Sequence, residues 1–190
     1  MWRRDLSPPV ARRVSGGIIP ALTRRATFVL LASLVAVFAR AEVKVGDPFP
    51  ALASAGLAPL AGGEIPATTG KVVLVDFWAS WCAPCKASFP MMAKLQKDYA
   101  ARGLVIVAVS VDEKPAAAVA FAKKLAPTFP TVHDRTQKLV TEVVAPTMPT
   151  SYLVGRDGRV RFRHEGYHGD VTERELRKEI ETLLAEKPRA

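Results

Sequence analysis

Cysteine is scarce in this chain: two in 190 residues, Cys82 and Cys85. Two thiols three positions apart leave three uses, which are a small staple, part of a metal site, or redox chemistry. Histidine is nearly as sparse, with His133, His164 and His168 only. A structural zinc needs four ligands, and no histidine is spaced to complete a site with the cysteine pair, so no metal is expected. His164 and His168, with Gly166 between them, read as solvent-facing polar residues.

Acidic residues are also in deficit, 18 against 27 basic, but the imbalance is local. Residues 1–41 hold seven arginines and one acid, Asp5, whereas the other 149 residues hold 20 basic and 17 acidic side chains. A nucleic-acid footprint marks a face of the folded domain with clustered cations. No such cluster with interleaved aromatics occurs, so nucleic acid is not expected as a partner. Internal repeats are absent, as is any low-complexity linker beyond a lead-in rich in Gly, Pro and Ala at 42–70.

Long apolar runs are missing too. The longest, ATFVLLASLVAVFA at 26–39, has 14 residues. At ~1.5 Å per residue it reaches about 21 Å, short of the ~30 Å hydrocarbon core. Preceded by arginines and followed by Ala39-Arg40-Ala41, it has the three parts of a secretory signal. Residues 1–41 are therefore expected to be a signal peptide cleaved after Ala41, or, if uncleaved, an N-terminal membrane anchor. Arg24-Arg25 faintly resembles a twin-arginine signal. Residues 42–190 would then form one domain in an extracytoplasmic, for example periplasmic, space, where disulfides persist.

What the domain does contain is ordered. KVVLVDFW is a nearly continuous apolar run, as in a strand buried on both faces. Phe89, Met92, Leu95 and Tyr99 recur at helical spacing and predict a helix from about Cys85 to Ala101, started by Pro84, kinked at Pro90 and stopped by Arg102-Gly103. LVIVAVSVD predicts a second buried strand. A helix at 115–125, a short strand in PTFPTVHD, a short helix in QKLVTEVV and a hairpin over 150–165 follow. A last helix begins at Thr172, with Thr172 and Glu175 as its capping box. The order predicts one α/β domain: a central mixed sheet flanked by helices, with an N-terminal extension and a helix inserted after the second core strand.

A CxxC bridge closes so short a loop that chain-entropy arithmetic gives it about 2 kcal/mol, against about 3 for a fifteen-residue loop. It is a poor staple for a domain with an ample core. Redox chemistry fits the position better. A strand-to-helix turn puts Cys82 at a helix N-terminus, where unpaired N–H groups and the dipole favour a thiolate. Lowering a thiol from about 8.5 to about 7 raises the thiolate fraction at neutral pH from about 3 % to about half. Cys82 is then the attacking thiolate and Cys85, one turn in, the resolving thiol.

VVLVDFWASWCAPCK resembles the active-site stretch of the thioredoxin superfamily. Together with GDPFP and MPTSYLVGRDG it is similar to the extracytoplasmic TlpA/ResA-like branch, over roughly residues 43–185. The resemblance implies a thioredoxin-like fold and a thiol-disulfide oxidoreductase without a cofactor. It implies that Met148-Pro149-Thr150 is a cis-proline loop beside the cysteines that binds the client backbone and keeps metals off them. It implies that Asp76 is a buried acid with a raised pKa, able to take the Cys85 proton. Trp78 and Trp81 would pack around the pair and, with Pro84, shape the docking surface.

Two departures stand out. Cytochrome-maturation members carry an acid where this chain has Ser88, which weakens apocytochrome c as the client. Thioredoxin has a lysine where the alignment puts Ala108, which leaves Asp76 without a cation. Ala83-Pro84 lacks the histidine of the strong oxidants. The expected activity is thus reduction of disulfides in client proteins, in cytochrome c or copper-site maturation among other settings, with electrons from a membrane thiol-disulfide donor. The rivals are a disulfide oxidase, a copper or haem chaperone on the same fold, a thiol peroxidase (whose threonine pattern is missing) and a passive disulfide.

Overall fold

A computed structural model describes residues 42–187. The segment read as a signal or anchor lies outside them. Ten elements follow in order: β1 (Ala58–Ala61), β2 (Val72–Trp78), α1 (Ala83–Tyr99), β3 (Leu104–Ser110), α2 (Pro115–Leu125), β4 (Thr131–His133), α3 (Lys138–Val143), β5 (Thr150–Val154), β6 (Val160–Glu165) and α4 (Asp170–Ala185). Among the described residues no helix is long and apolar enough to cross a membrane.

The strands form one six-stranded sheet in the order β1-β4-β3-β2-β5-β6. β2, β3 and β4 run parallel, while β1, β5 and β6 each pair antiparallel with their neighbours. The sheet is therefore mixed, as the order of elements predicted. The two central strands are buried along their whole length, which explains their unbroken Val/Leu/Ile character.

Side-chain alternation divides the core in two. Val72, Leu74 and Trp78 of β2 face α1 and α4, packing with Cys85, Phe89, Met92, Leu95, Leu176 and Ile180. Val73, Val75 and Phe77 face the other way, onto α3 and the N-terminal lead-in, with Leu139, Val143 and Leu52. The four apolar residues that predicted α1 are all buried. The helix ends two residues earlier than expected, passes into a 3₁₀ turn at Ala100–Arg102, and stops at Gly103, whose φ of 103° suits a residue without Cβ. Pro90 lies inside α1 and offers no N–H to the Lys86 carbonyl.

The start of α4 differs from expectation. The helix begins at Asp170, and no side chain among the described residues caps it. Thr172, read as the cap, is inside the first turn, and its hydroxyl accepts the His168 N–H at 3.0 Å. Gly169, with a φ of 61°, takes the N-cap position; its freedom at positive φ lets the chain turn into the helix two residues early. His164 is not the solvent-facing residue its polar surroundings suggested: its Nε2 lies 2.7 Å from Glu179 Oε2, with both side chains less than a fifth exposed. His168 is exposed.

Candidate active site

Cys82 is the N-cap of α1, and Ala83 and Pro84 open its first turn. Pro84 fits there because the first N–H groups of a helix have no intrahelical partner. The Cys82 Sγ accepts the Cys85 N–H at 3.1 Å, so the sulfur occupies the place where a capping oxygen normally sits. The two cysteines are joined in a disulfide. Cys82 keeps 5 % of its surface and Cys85 none, so a reagent approaching from solvent meets Cys82 first.

Asp76 is 2 % exposed. It stands on the sheet face covered by α1, in line with Leu74 and Trp78. Burial pushes its carboxyl up to about 7, against a weaker opposing effect of the Ser151 hydroxyl, which donates to Asp76 Oδ1 at 2.5 Å. Its Oδ2 has no hydrogen-bond partner among the described residues. Ala108 pairs with Asp76 in the β2–β3 register, and no cation among the described residues contributes to the shift. The desolvated carboxyl is thus held near neutrality by burial alone.

The Met148–Pro149 peptide is cis, as the resemblance implied. Met148 is half-buried, while Pro149 and Thr150 are buried. The Thr150 hydroxyl donates to Thr147 O at 2.7 Å and the Pro149 carbonyl accepts the Gly166 N–H at 2.8 Å. Both residues brace the loop, and the Thr150 side chain has no open face for a client.

The two tryptophans part company. Trp81 is 72 % exposed beside Cys82. Trp78 is fully buried, stacked on Phe121 at 4.7 Å and edge-on to Phe89 at 5.4 Å. The expectation that both shape the docking surface is corrected for Trp78. It sits in β2, two residues from Asp76, and alternation sends it into the core. Ser88 is buried, its hydroxyl donating to Cys85 O at 2.9 Å. Ser88 is thus a closed helical contact.

One residue was missed by the sequence reading. Asp112, 3 % exposed just after β3, accepts the Ser80 N–H at 3.0 Å, the Ser80 hydroxyl at 2.7 Å and the Ser110 hydroxyl at 2.9 Å. It thereby fixes the turn that precedes Trp81-Cys82. Its main-chain oxygen in turn lies 2.7 Å from Nε2 of the buried His133. The legible signal was an acid two residues past Ser110 at the end of an apolar strand, which demands partners. Asp112→Ala should lower stability by about 2–4 kcal/mol, since it orphans donors that gave charge-assisted bonds. Urea unfolding measures this; an unchanged midpoint would mean that the Ser80 turn holds itself.

Residues 44–180 match the Redoxin family. The chain is similar to the thiol-disulfide oxidoreductase ResA of Bacillus subtilis (strain 168), with 36 % identity over 97 residues that cover 51 % of this chain and 54 % of the relative. It is also similar to ResA of Geobacillus kaustophilus (strain HTA426), 31 % identical over 114 residues, covering 60 % and 64 %. The chain thus spans between about half and two thirds of the length of these curated relatives. Among solved structures, a protein from Chlorobium tepidum provisionally assigned as the thiol:disulfide interchange protein DsbE shares 32 % identity at a TM-score of 0.66, covering 76 % of this chain and all of that one. StoA from Bacillus subtilis shares 27 % at 0.55, covering 64 % and 92 %. The family match takes in every strand of the sheet and the helix tip that carries Cys82, and the chain therefore belongs to the Redoxin family, as a ResA/TlpA-like member of the thioredoxin superfamily.

Proposed function

We propose that this protein is an extracytoplasmic thiol-disulfide oxidoreductase that reduces disulfides in client proteins. The observation that carries the reading is the Cys82–Cys85 disulfide at the tip of α1. Cys82 keeps a small solvent exposure and its sulfur accepts a helix N–H, while Cys85 is sealed completely. In the reduced protein the same N–H and the helix dipole favour a Cys82 thiolate.

The cycle follows from that arrangement. The Cys82 thiolate attacks a client disulfide, forming a mixed disulfide and releasing one client thiolate. Cys85 then attacks the Cys82 sulfur, its proton passing to Asp76 as the second client sulfur leaves. Two electrons move from the pair to the client, and the pair ends oxidised. Trp81, Pro84 and the Met148–Pro149 loop form the docking surface. No hydrogen bond among the described residues uses the Met148 N–H or C=O, which supports main-chain pairing with a client strand there. Thr150 serves by holding that loop.

The arginine-rich start and 14-residue apolar run support export, with a membrane thiol-disulfide donor renewing the reduced pair in an oxidising space. Ser88, buried and bonded to its own helix, makes apocytochrome c the less favoured client. The reduction potential of the pair in the purified full chain, measured in dithiol redox buffers, tests the direction. A value near −270 mV is expected; one near −120 mV would reverse the reading to an oxidase.

A further inference from the structure

In the cycle above, Asp76 takes up a proton that it must later release, yet it is sealed from water. On its own sheet face it is flanked along β2 by Leu74 and Trp78, both fully buried, and across the sheet on one side by Ala108. The other side differs. Ser151 lies directly opposite Asp76 in the β2–β5 pairing, and His164 directly opposite Ser151 in the β5–β6 pairing. Residues directly opposite in antiparallel strands point to the same face, with Cβ atoms roughly 4.5–5.5 Å apart. Asp76, Ser151 and His164 therefore form one polar row across three strands.

The row opens outward. Asp76 is 2 % exposed and Ser151 8 %; the His164 side chain is 14 % exposed and its partner Glu179 18 %. The inner end is a hydrogen bond, Ser151 Oγ to Asp76 Oδ1 at 2.5 Å. The outer end is the His164 Nε2–Glu179 Oε2 contact at 2.7 Å, with Glu175 Oε2 3.7 Å from Nδ1 and itself more than half exposed. The other charged side chains of β6 near this point, Arg163 and Glu165, alternate to the opposite face and pair there, Arg163 also with Glu42. The Ser88 hydroxyl is committed to Cys85 O.

We propose that Ser151 and His164 form the path by which the Asp76 proton reaches solvent, with Glu179 holding the imidazole at the outer end. This rests on the thiol-disulfide exchange proposed above. No hydrogen bond joins Ser151 to His164 among the described residues, so Asp76 passes its proton to Ser151 Oγ while the serine's own proton moves on to the imidazole through one bridging water. Asp76 ends as carboxylate, Ser151 is unchanged, and His164 becomes an imidazolium paired with Glu179 until it yields the proton to water. No electrons move in this step. Imidazole is suited to the outer position because one ring nitrogen can accept a proton while the other gives one up.

A relay changes rates and leaves equilibria alone, which separates it from a structural role. The test follows exchange between the reduced full chain and oxidised dithiothreitol by tryptophan fluorescence, at pH 6–9 in dilute buffer. Ser151→Ala and His164→Gln should each slow exchange roughly tenfold, less than the 10²–10⁴ of a general base itself. Ser151→Thr, which keeps the hydroxyl, should stay near wild type. Added free imidazole should restore His164→Gln, whose reduction potential should equal that of wild type. If His164→Gln fails to fold, the Ser151 pair decides alone. Variants that exchange at the wild-type rate would overturn the relay and leave the redox reading standing, and so would slowing without imidazole rescue accompanied by a shifted potential. A wild-type chain that does not exchange at all would sink both.

Discussion

Asp76→Asn should be more stable than the wild type by about 4 kcal/mol at pH 8 and slower in thiol exchange by about 10²-fold or more. Both effects come from the same buried carboxyl. Its folded-state midpoint is raised from 3.8 to about 7 by burial, and each pH unit of such displacement corresponds to about 1.4 kcal/mol. The sign follows from which state holds the proton. Below about pH 4 the group is protonated folded and unfolded, and nothing is lost. Between pH 4 and 7 the unfolded chain ionises while the folded one keeps its proton, so stability falls as pH rises; above 7 the loss is complete. Asn is neutral throughout and still offers an oxygen to the Ser151 hydroxyl. Urea unfolding of the oxidised form should show a gap between variant and wild type that is wide at pH 8 and nearly closed at pH 4. Equal stability at pH 8 would mean that the carboxylate is solvated and not a buried acid. The kinetic half of the prediction removes the acceptor for the Cys85 proton, a step for which general bases contribute about 10²–10⁴-fold. A protein keeping an ionisable group at such a cost in stability is expected where the group does chemistry.

Cys82→Ser should reduce insulin-disulfide reduction to the uncatalysed background, while Cys85→Ser should stop after one step with the client covalently attached. The asymmetry rests on exposure and capping. Of the pair, Cys82 alone keeps any solvent exposure, and its Sγ receives the Cys85 N–H. Without Cys82 there is no accessible thiolate. Without Cys85 the mixed disulfide forms but nothing within the chain resolves it, since these are its only two cysteines. Mass spectrometry of Cys85→Ser after incubation with a disulfide client should find the adduct, removable by dithiothreitol. Capture by Cys82→Ser in place of Cys85→Ser would invert the assigned roles, and insulin reduction by Cys82→Ser at the wild-type rate would end the redox reading.

The parts of the site that read directly from the sequence are those set by short-range rules. The spacing of Cys82 and Cys85, Pro84 in the first helical turn and the apolar run before them together place a thiol at a helix tip, because strand and helix periodicities act within a few residues. Asp76 was singled out by the resemblance to the thioredoxin superfamily, and its place inside an unbroken apolar strand agrees with burial. Where local signals compete, reading by sequence failed. Thr172 and Glu175 have capping-box spacing, yet Gly169 starts α4 earlier. Trp78 and Trp81 look alike in sequence, but strand alternation buries the first and the turn exposes the second.

The amino-acid sequence by itself therefore determined the thiol pair, its place at a helix tip and the order of strands and helices around it. Only the tertiary structure decided how the acid is served. Ser151 is 75 positions from Asp76, Asp112 is 32 from Ser80, and Glu179 is 15 from His164 across the β6–α4 connection. The Ser151–Asp76 pairing depends on strand register, and a slip of one residue would turn either side chain to the opposite face; the other two depend on how a turn and α4 pack against the sheet. Register is fixed by the packing of the whole sheet between its two helical layers, so no local stretch of sequence contains it.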